Sequence, residues 1–364
     1  MATIFGKTYS RTSLLRYVGD ISQIARVKPY RLVEGFEQDV MAADLTTGGG
    51  LTFTVLPSRG MDISSASFNG RPLAWRSATT DRHPAFFEPE GLSWLRSFYG
   101  GLVVTCGLTW AGAACTDEGK ELGLHGWVSN TPAVNVAWGG EWTGDDYEIW
   151  ISGKLREAIV FGENVELTRT IRARLGENRF WIHDRVENMG YRRTEHMFLY
   201  HINIGFPAIS DHTALIAPTL EATPRDAEAE MGKERYAEMQ PPTPDYNEKV
   251  YFHRLATEPD GKVTTALVNP ELDGGYGVYC TFNQKELPYF IEWKMMDAGT
   301  YVVGMEPANA LVLGRATERA AGRLQFLEGG EVREYHLEIG VVDGAAQLNT
   351  LRQNAQELIR AARK

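Results

Sequence analysis

Three side chains of this 364-residue chain have the types and settings for proton-transfer chemistry. His125 lies in Leu124-His125-Gly126-Trp127, His201 in the apolar run from Phe198 to Pro207, and Glu306 in Val303-Gly304-Met305-Glu306-Pro307. A histidine and a glutamate on two sides of a small molecule can act as general acid and general base near neutral pH, because burial and neighbours move both pKa values towards 7. A histidine in an apolar strand is ordinarily a hydrogen-bonded core residue. A carboxylate at the end of an apolar strand is harder to account for without a partner or a purpose. The glycines flanking His125, Gly123 and Gly126, permit close backbone approach or unusual φ, as suits a loop at a site. A three-ligand metal site from His125, His201 and Glu306 is chemically admissible, but no short-spaced pair such as His-x-His anchors one. There is no Gly-x-Ser-x-Gly elbow and no cysteine pair to supply a nucleophile.

The elements that must hold these groups read as strands. Leu51–Leu56 and Met61–Phe68 end at Asn69-Gly70, a strong hairpin signal, and Tyr147–Leu155, Val165–Leu175 and Arg179–Val186 alternate polar and apolar residues. Such alternation marks half-buried antiparallel strands. Further strand-like runs follow between residues 263 and 342, and only the tail, 347–364, shows helical spacing. Many short strands with frequent turns predict a large all-β sandwich, taken as one domain over 1–364, with an irregular or briefly helical lead-in over about 1–35. Two segments stand apart. Arg82–Leu95, rich in Pro, Phe and Trp, reads as an ordered loop near a site, and Pro218–Asp245 as a long surface excursion.

Composition narrows the function. With 37 Lys and Arg against 47 Asp and Glu, the net charge of −10 leaves no basic excess to neutralise nucleic-acid phosphates. No apolar run reaches the roughly 20 residues that span a bilayer. Three cysteines, Cys106, Cys115 and Cys280, form no paired framework and suit a reducing compartment. No basic and apolar leader opens the chain, so the expected location is cytoplasmic.

Taken in order, Leu124-His125-Gly126, the Leu199–Asn203 run with Gly205-Phe206, and Gly304-Met305-Glu306 resemble the galactose mutarotase (aldose 1-epimerase) superfamily, in particular its uncharacterised aldose-epimerase-like branch. The early Arg59-Gly60-Met61-Asp62 stretch and the Gly329-Gly330-Glu331 turn add to the likeness, which extends thinly over about residues 40–342. The resemblance implies a β-supersandwich and an open cleft with neither metal nor organic cofactor. It implies an anomer-exchanging isomerase of a monosaccharide or sugar derivative, with the protein a monomer or homodimer. Glu306 would take the proton of the anomeric hydroxyl, His201 would protonate the ring oxygen, and His125 would hydrogen-bond the sugar. Arg59 would bind hydroxyls, with Asn203 a helper. The segment before His125 lacks the Asn-Arg pair common in the family, and the sugar-gripping aspartate has no clear counterpart; Asp245 and Glu248 are the candidates. Trp293, in Glu292-Trp293-Lys294, could stack on a sugar face. A non-catalytic sugar-binding or sensing protein and an isomerase or lyase of an unusual sugar remain open alternatives on the same scaffold.

Overall fold

Antiparallel sheets of eight, seven and five strands, with two small hairpins, make up nearly all of the regular backbone in the computed structural model, which describes residues 1–364. The eight-stranded sheet begins with three long hairpin-linked strands, Val134–Thr143, Asp146–Ala158 and Asn164–Arg174, followed by Arg179–Asn188 and Val332–Asp343. Its outer strands alternate buried and exposed residues, so one face meets water. That is the arrangement the period-2 pattern predicts.

The seven-stranded sheet is covered on both faces. A cluster of 57 buried residues draws Phe53 and Val55 from the five-stranded sheet, Ile151 and Phe180 from the eight-stranded sheet, and Phe198, Tyr200 and Ile202 from the seven-stranded sheet. On its far side, Met197 and Leu199 join a second cluster with Trp94, Phe98 and Tyr99 from the 82–99 segment. The strand Thr194–Ile204 is therefore buried at ten of its eleven positions, which explains why Met197–Tyr200 is a continuous apolar and aromatic run rather than an alternating one.

A buried ion network ties the layers together. Arg169, wholly inaccessible, donates to Asp184 (2.6 Å) and to Asp62 (2.7 Å), both also inaccessible. Thr105 and Tyr200 donate to Asp62 and Asp184 in turn. These bonds satisfy charges whose uncompensated burial would cost several kcal/mol each.

The predicted sandwich and C-terminal helix are both present; the helix runs Ala345–Ala362 and seats Leu348 and Ala355. Two expectations need correction. The lead-in holds the expected brief helix, Arg11–Leu14, but also a hairpin and the strand Arg26–Arg31, which pairs with Met41–Thr46, so the five-stranded sheet starts earlier than the glycine-punctuated region suggested. The 218–245 excursion opens with a true edge strand, Thr219–Pro224, paired with Lys249–Leu255, before folding over the sheet in short turns.

Candidate active site

His201 and Glu306 meet because their strands do. Thr194–Ile204 and Thr300–Ala308 run antiparallel, and the pairs Leu199–Ala308 and Ile202–Met305 bracket a register that sets His201 against Glu306. Directly opposed side chains on one sheet face are neighbours. His201 Nε2 stands 3.2 Å from Glu306 Oε1, near but without hydrogen-bond alignment, for Glu306 Oε1 and His201 Nδ1 have no partner within the protein. Gly304 keeps the space open: a Cβ there would lie 2.8 Å from Glu306 Oε1 and 3.2 Å from His201 Cε1.

His125 arrives on a loop. Its φ is +60°, the left-handed region that costs an ordinary residue of the order of 1 kcal/mol. Backbone bonds to Gly112 and Gly107 hold it there. The flanking glycines are required by contact: a Cβ on Gly123 would fall 1.8 Å from Pro89 O, and one on Gly126 2.4 Å from Gly107 O. The Gly112 N–H donates to His125 Nδ1 (3.3 Å), which leaves the proton of the neutral ring on Nε2. The His125 and His201 rings sit edge to face at 5.9 Å.

Burial sets the protonation of all three groups. It lowers His201 to about 3, with His125 adding to the shift, and lowers His125 to about 4. Partial opening of His125 to the cleft works against that shift but leaves the ring neutral at pH 7. Burial first, then Glu248, raises the Glu306 carboxyl well above its ordinary range, against the pull of Arg225. Charge is thus disfavoured at both members of the His201–Glu306 pair, while their closeness favours a proton shared between them.

These groups line a cavity of about 510 Å³ together with Trp94, Phe98, Trp293, Glu248 and Arg225. The 82–95 segment supplies part of this wall, as its composition suggested. Trp293 packs edge-on against His201 at 5.1 Å, and its Nε1 donates to Glu248 (2.7 Å). Glu248 also accepts from Arg225 (2.8 Å). A hollow of about 490 Å³ around Phe161 and Arg192 brings together no comparable acid–base pair.

Three expected sugar contacts do not reach the cavity. Arg59 is buried, and its guanidinium is consumed by the carbonyls of Arg82, Ser97 and Ser129; it braces the wall instead of facing a ligand. Asn203 is buried within the strand Thr194–Ile204 and its side chain donates to the His201 carbonyl. Asp245 sits exposed in a left-handed turn, away from the cavity that Glu248 lines. Arg225 escaped sequence reading, since nothing in Pro224-Arg225-Asp226 marks it. His183 is exposed and stacks on His336 at 4.5 Å.

Over residues 37–341 the chain matches the family described as a domain of unknown function, DUF4432, and it belongs to that family. A Klebsiella pneumoniae protein provisionally described as an aldose 1-epimerase superposes with a TM-score of 0.87 at 26% identity, over 92% of this chain and 87% of that one. A galactose mutarotase-like protein from Clostridium acetobutylicum (TM-score 0.60, 10% identity, 88% and 99% coverage) has the same fold. So does a galactose 1-epimerase from Lactobacillus acidophilus (0.57, 12%, 88% and 99%). The fold is that of the galactose mutarotase-like proteins. No curated protein sequence matches the chain, and no helix is long and apolar enough to cross a membrane.

Proposed function

We propose that the protein is an aldose 1-epimerase that interconverts sugar anomers by ring opening without a cofactor. The observation that carries this reading is the buried His201–Glu306 pair at 3.2 Å, open on one side to a cavity of monosaccharide size or larger. Ring opening removes one proton from O1 and delivers one to the ring oxygen. With the pair's proton on His201, the Glu306 carboxylate takes the O1 proton as the C1–O5 bond breaks, and His201 gives its proton to O5. The aldehyde and a C5 hydroxyl result, with Glu306 protonated and His201 neutral. Rotation about C1–C2 and the reverse transfers close the ring on the other face, so no net proton is gained or lost. Burial favours the neutral pair, so the proton passes from Glu306 to His201 before opening begins, and opening returns the pair to its favoured state. The His125 Nε2–H serves as a donor to the oxygen that gathers charge, the role of a preorganised dipole in a water-poor site.

Glu248 and Trp293 are assigned to binding the sugar. Residues 1–364 act in this reading as one domain, supported by a core drawn from all three sheets, and the unpaired state of the three cysteines supports a cytoplasmic setting. The test is anomer exchange followed by NMR across a panel of reducing sugars. Exchange above the spontaneous rate that disappears in His201→Ala and Glu306→Ala supports the assignment, and variants that match the wild type overturn it.

A further inference from the structure

The cavity has two contiguous sectors of opposite character. One is polar: Arg225, Glu248 and Trp293 are joined by side-chain bonds, and the Arg225 N–H bonds to Val250 O (2.9 Å) behind them. The other is made by Leu92, Leu95, Ala113, Leu124 and Val312, stitched together by Leu124 N–H to Gly91 O and Ala113 N–H to Val312 O. No side chain named in this second sector can hydrogen-bond. Leu92 and Leu95 are 64% and 49% exposed and line the cavity beside Leu124 and Val312, so together they offer apolar surface to a ligand.

A sugar hydroxyl taken from water into such a sector loses its hydrogen bonds and gains none. The polar side chains are gathered in one sector and leave the other without a partner for a hydroxyl. His125, His201 and Glu306 are committed to O1 and the ring oxygen under the proposed reaction. Arg225 already gives Nε to Asp226 and Nη2 to Glu248, and both Glu248 oxygens already accept a bond. Among side chains, Arg225 Nη1, the second N–H of Nη2 and spare lone pairs on Glu248 remain for the other hydroxyls, all in the polar sector. The volume of about 510 Å³ lies within the roughly 300–1,000 Å³ typical of sites for drug-sized ligands, so room is not what limits the ligand.

Resting on the epimerase reading, we propose that the substrate class is a reducing sugar that carries an apolar group where a common hexose carries a hydroxyl, a deoxy sugar above all. Its hydroxylated edge meets Arg225 and Glu248, and its apolar edge lies against Leu92, Leu95 and Val312. A methyl group gained in an apolar pocket changes selectivity by about 10- to 200-fold.

Matched pairs that differ only at C6 isolate the effect: D-fucose against D-galactose, L-fucose against L-galactose, L-rhamnose against L-mannose, and 6-deoxy-D-glucose against D-glucose. Binding by calorimetry and anomer exchange by NMR are measured on the wild type and on Leu95→Asn, a change at a half-exposed position that the fold tolerates. The expected result is a 10-fold or greater preference for the deoxy member of at least one pair, reduced several-fold in Leu95→Asn. Equal or better handling of the parent hexose in every pair overturns the substrate class and leaves the epimerase reading standing. Selective binding of a deoxy sugar without exchange supports the class and overturns the epimerase reading. Neither binding nor exchange for any of the eight sugars overturns both.

Discussion

Glu306→Gln separates the chemistry of the site from its packing. Glutamine keeps the shape of the side chain beside His201, and its carbonyl oxygen can occupy the position 3.2 Å from Nε2, but it cannot carry the O1 proton. A positioned proton transfer contributes about 10²–10⁴-fold, equivalent to roughly 3–5 kcal/mol of barrier, and kcat should fall by that range with KM little changed. Stability should move the other way with pH. Burial raises the Glu306 carboxyl well above its ordinary 4.5, so the contribution of this group is fully present below that value and is lost as pH rises through the raised pKa. Each unit of elevation is worth about 1.4 kcal/mol, and an amide has no such loss. Glu306→Gln should therefore gain stability relative to wild type between about pH 5 and pH 8, while activity is low throughout. The assays are NMR anomer exchange and urea unfolding at both pH values. A variant that keeps more than a tenth of wild-type kcat refutes the proton-carrier role, and a stability difference that does not change with pH refutes the buried, elevated carboxyl.

Gly304→Ala would insert a methyl 2.8 Å from Glu306 Oε1; displacing the pair by even 1 Å should lower kcat on the order of 10²-fold, with an unchanged near-UV CD spectrum as the check on folding. Arg169→Met strands Asp62 and Asp184, both wholly buried, and should destabilise by about 3–5 kcal/mol in urea unfolding. Glu157, buried and raised from 4.5 to about 8, contributes stability that is lost as pH climbs between those values. Glu157→Gln should thus gain up to about 4–5 kcal/mol on wild type from about pH 4 to pH 9, read from unfolding free energies across that span. Glu248→Ala should raise KM at least several-fold in the exchange assay, whereas Asp245→Ala, outside the cavity, should leave it unchanged.

His201 and Glu306 were legible because each interrupts an apolar strand with a titratable group, and strand alternation fixes which face each occupies. The fold was legible for the same reason: the period-2 runs at 147–155 and 165–175 became long strands of the eight-stranded sheet. What failed depended on distant backbone. Arg59 looked like a ligand-binding arginine, yet three carbonyls from residues 82, 97 and 129 satisfy it, and no local pattern announces their convergence. Asp245 and Glu248 lie three residues apart, and a turn with Asp245 at φ +62° decides which of them lines the cavity. The lead-in is briefly helical at Arg11–Leu14, as expected, but nothing local announced the strand Arg26–Arg31, which depends on pairing with Met41–Thr46. Arg225 has no signal at all; only the cross-sheet neighbour Glu248 gives it a role.

The register of the strand Thr194–Ile204 connects the buried ion network to the site. Successive residues on a strand face opposite ways, so a slip of one position would turn Tyr200 into the cleft and His201 into the core. Apolar residues alone do not prevent that slip, because both faces of this strand are buried and both neighbours of His201 are apolar or aromatic. Polar anchors do prevent it. Tyr200 donates to Asp184 at 2.7 Å, Asp184 is held by Arg169, and Arg169 reaches Asp62. Asp62 in turn accepts from Thr105, whose strand pairs with Thr194–Ile204 through Tyr200–Thr105 and His201–Val104. The loop of bonds closes only with Tyr200 facing the core, which turns His201 to the cleft, where pairing with Thr300–Ala308 sets it against Glu306. Buried charges contribute little net stability when paired and are most useful when they select one arrangement among several. Here the arrangement selected is the one that brings an imidazole and a carboxyl within 3.2 Å at the floor of the cavity.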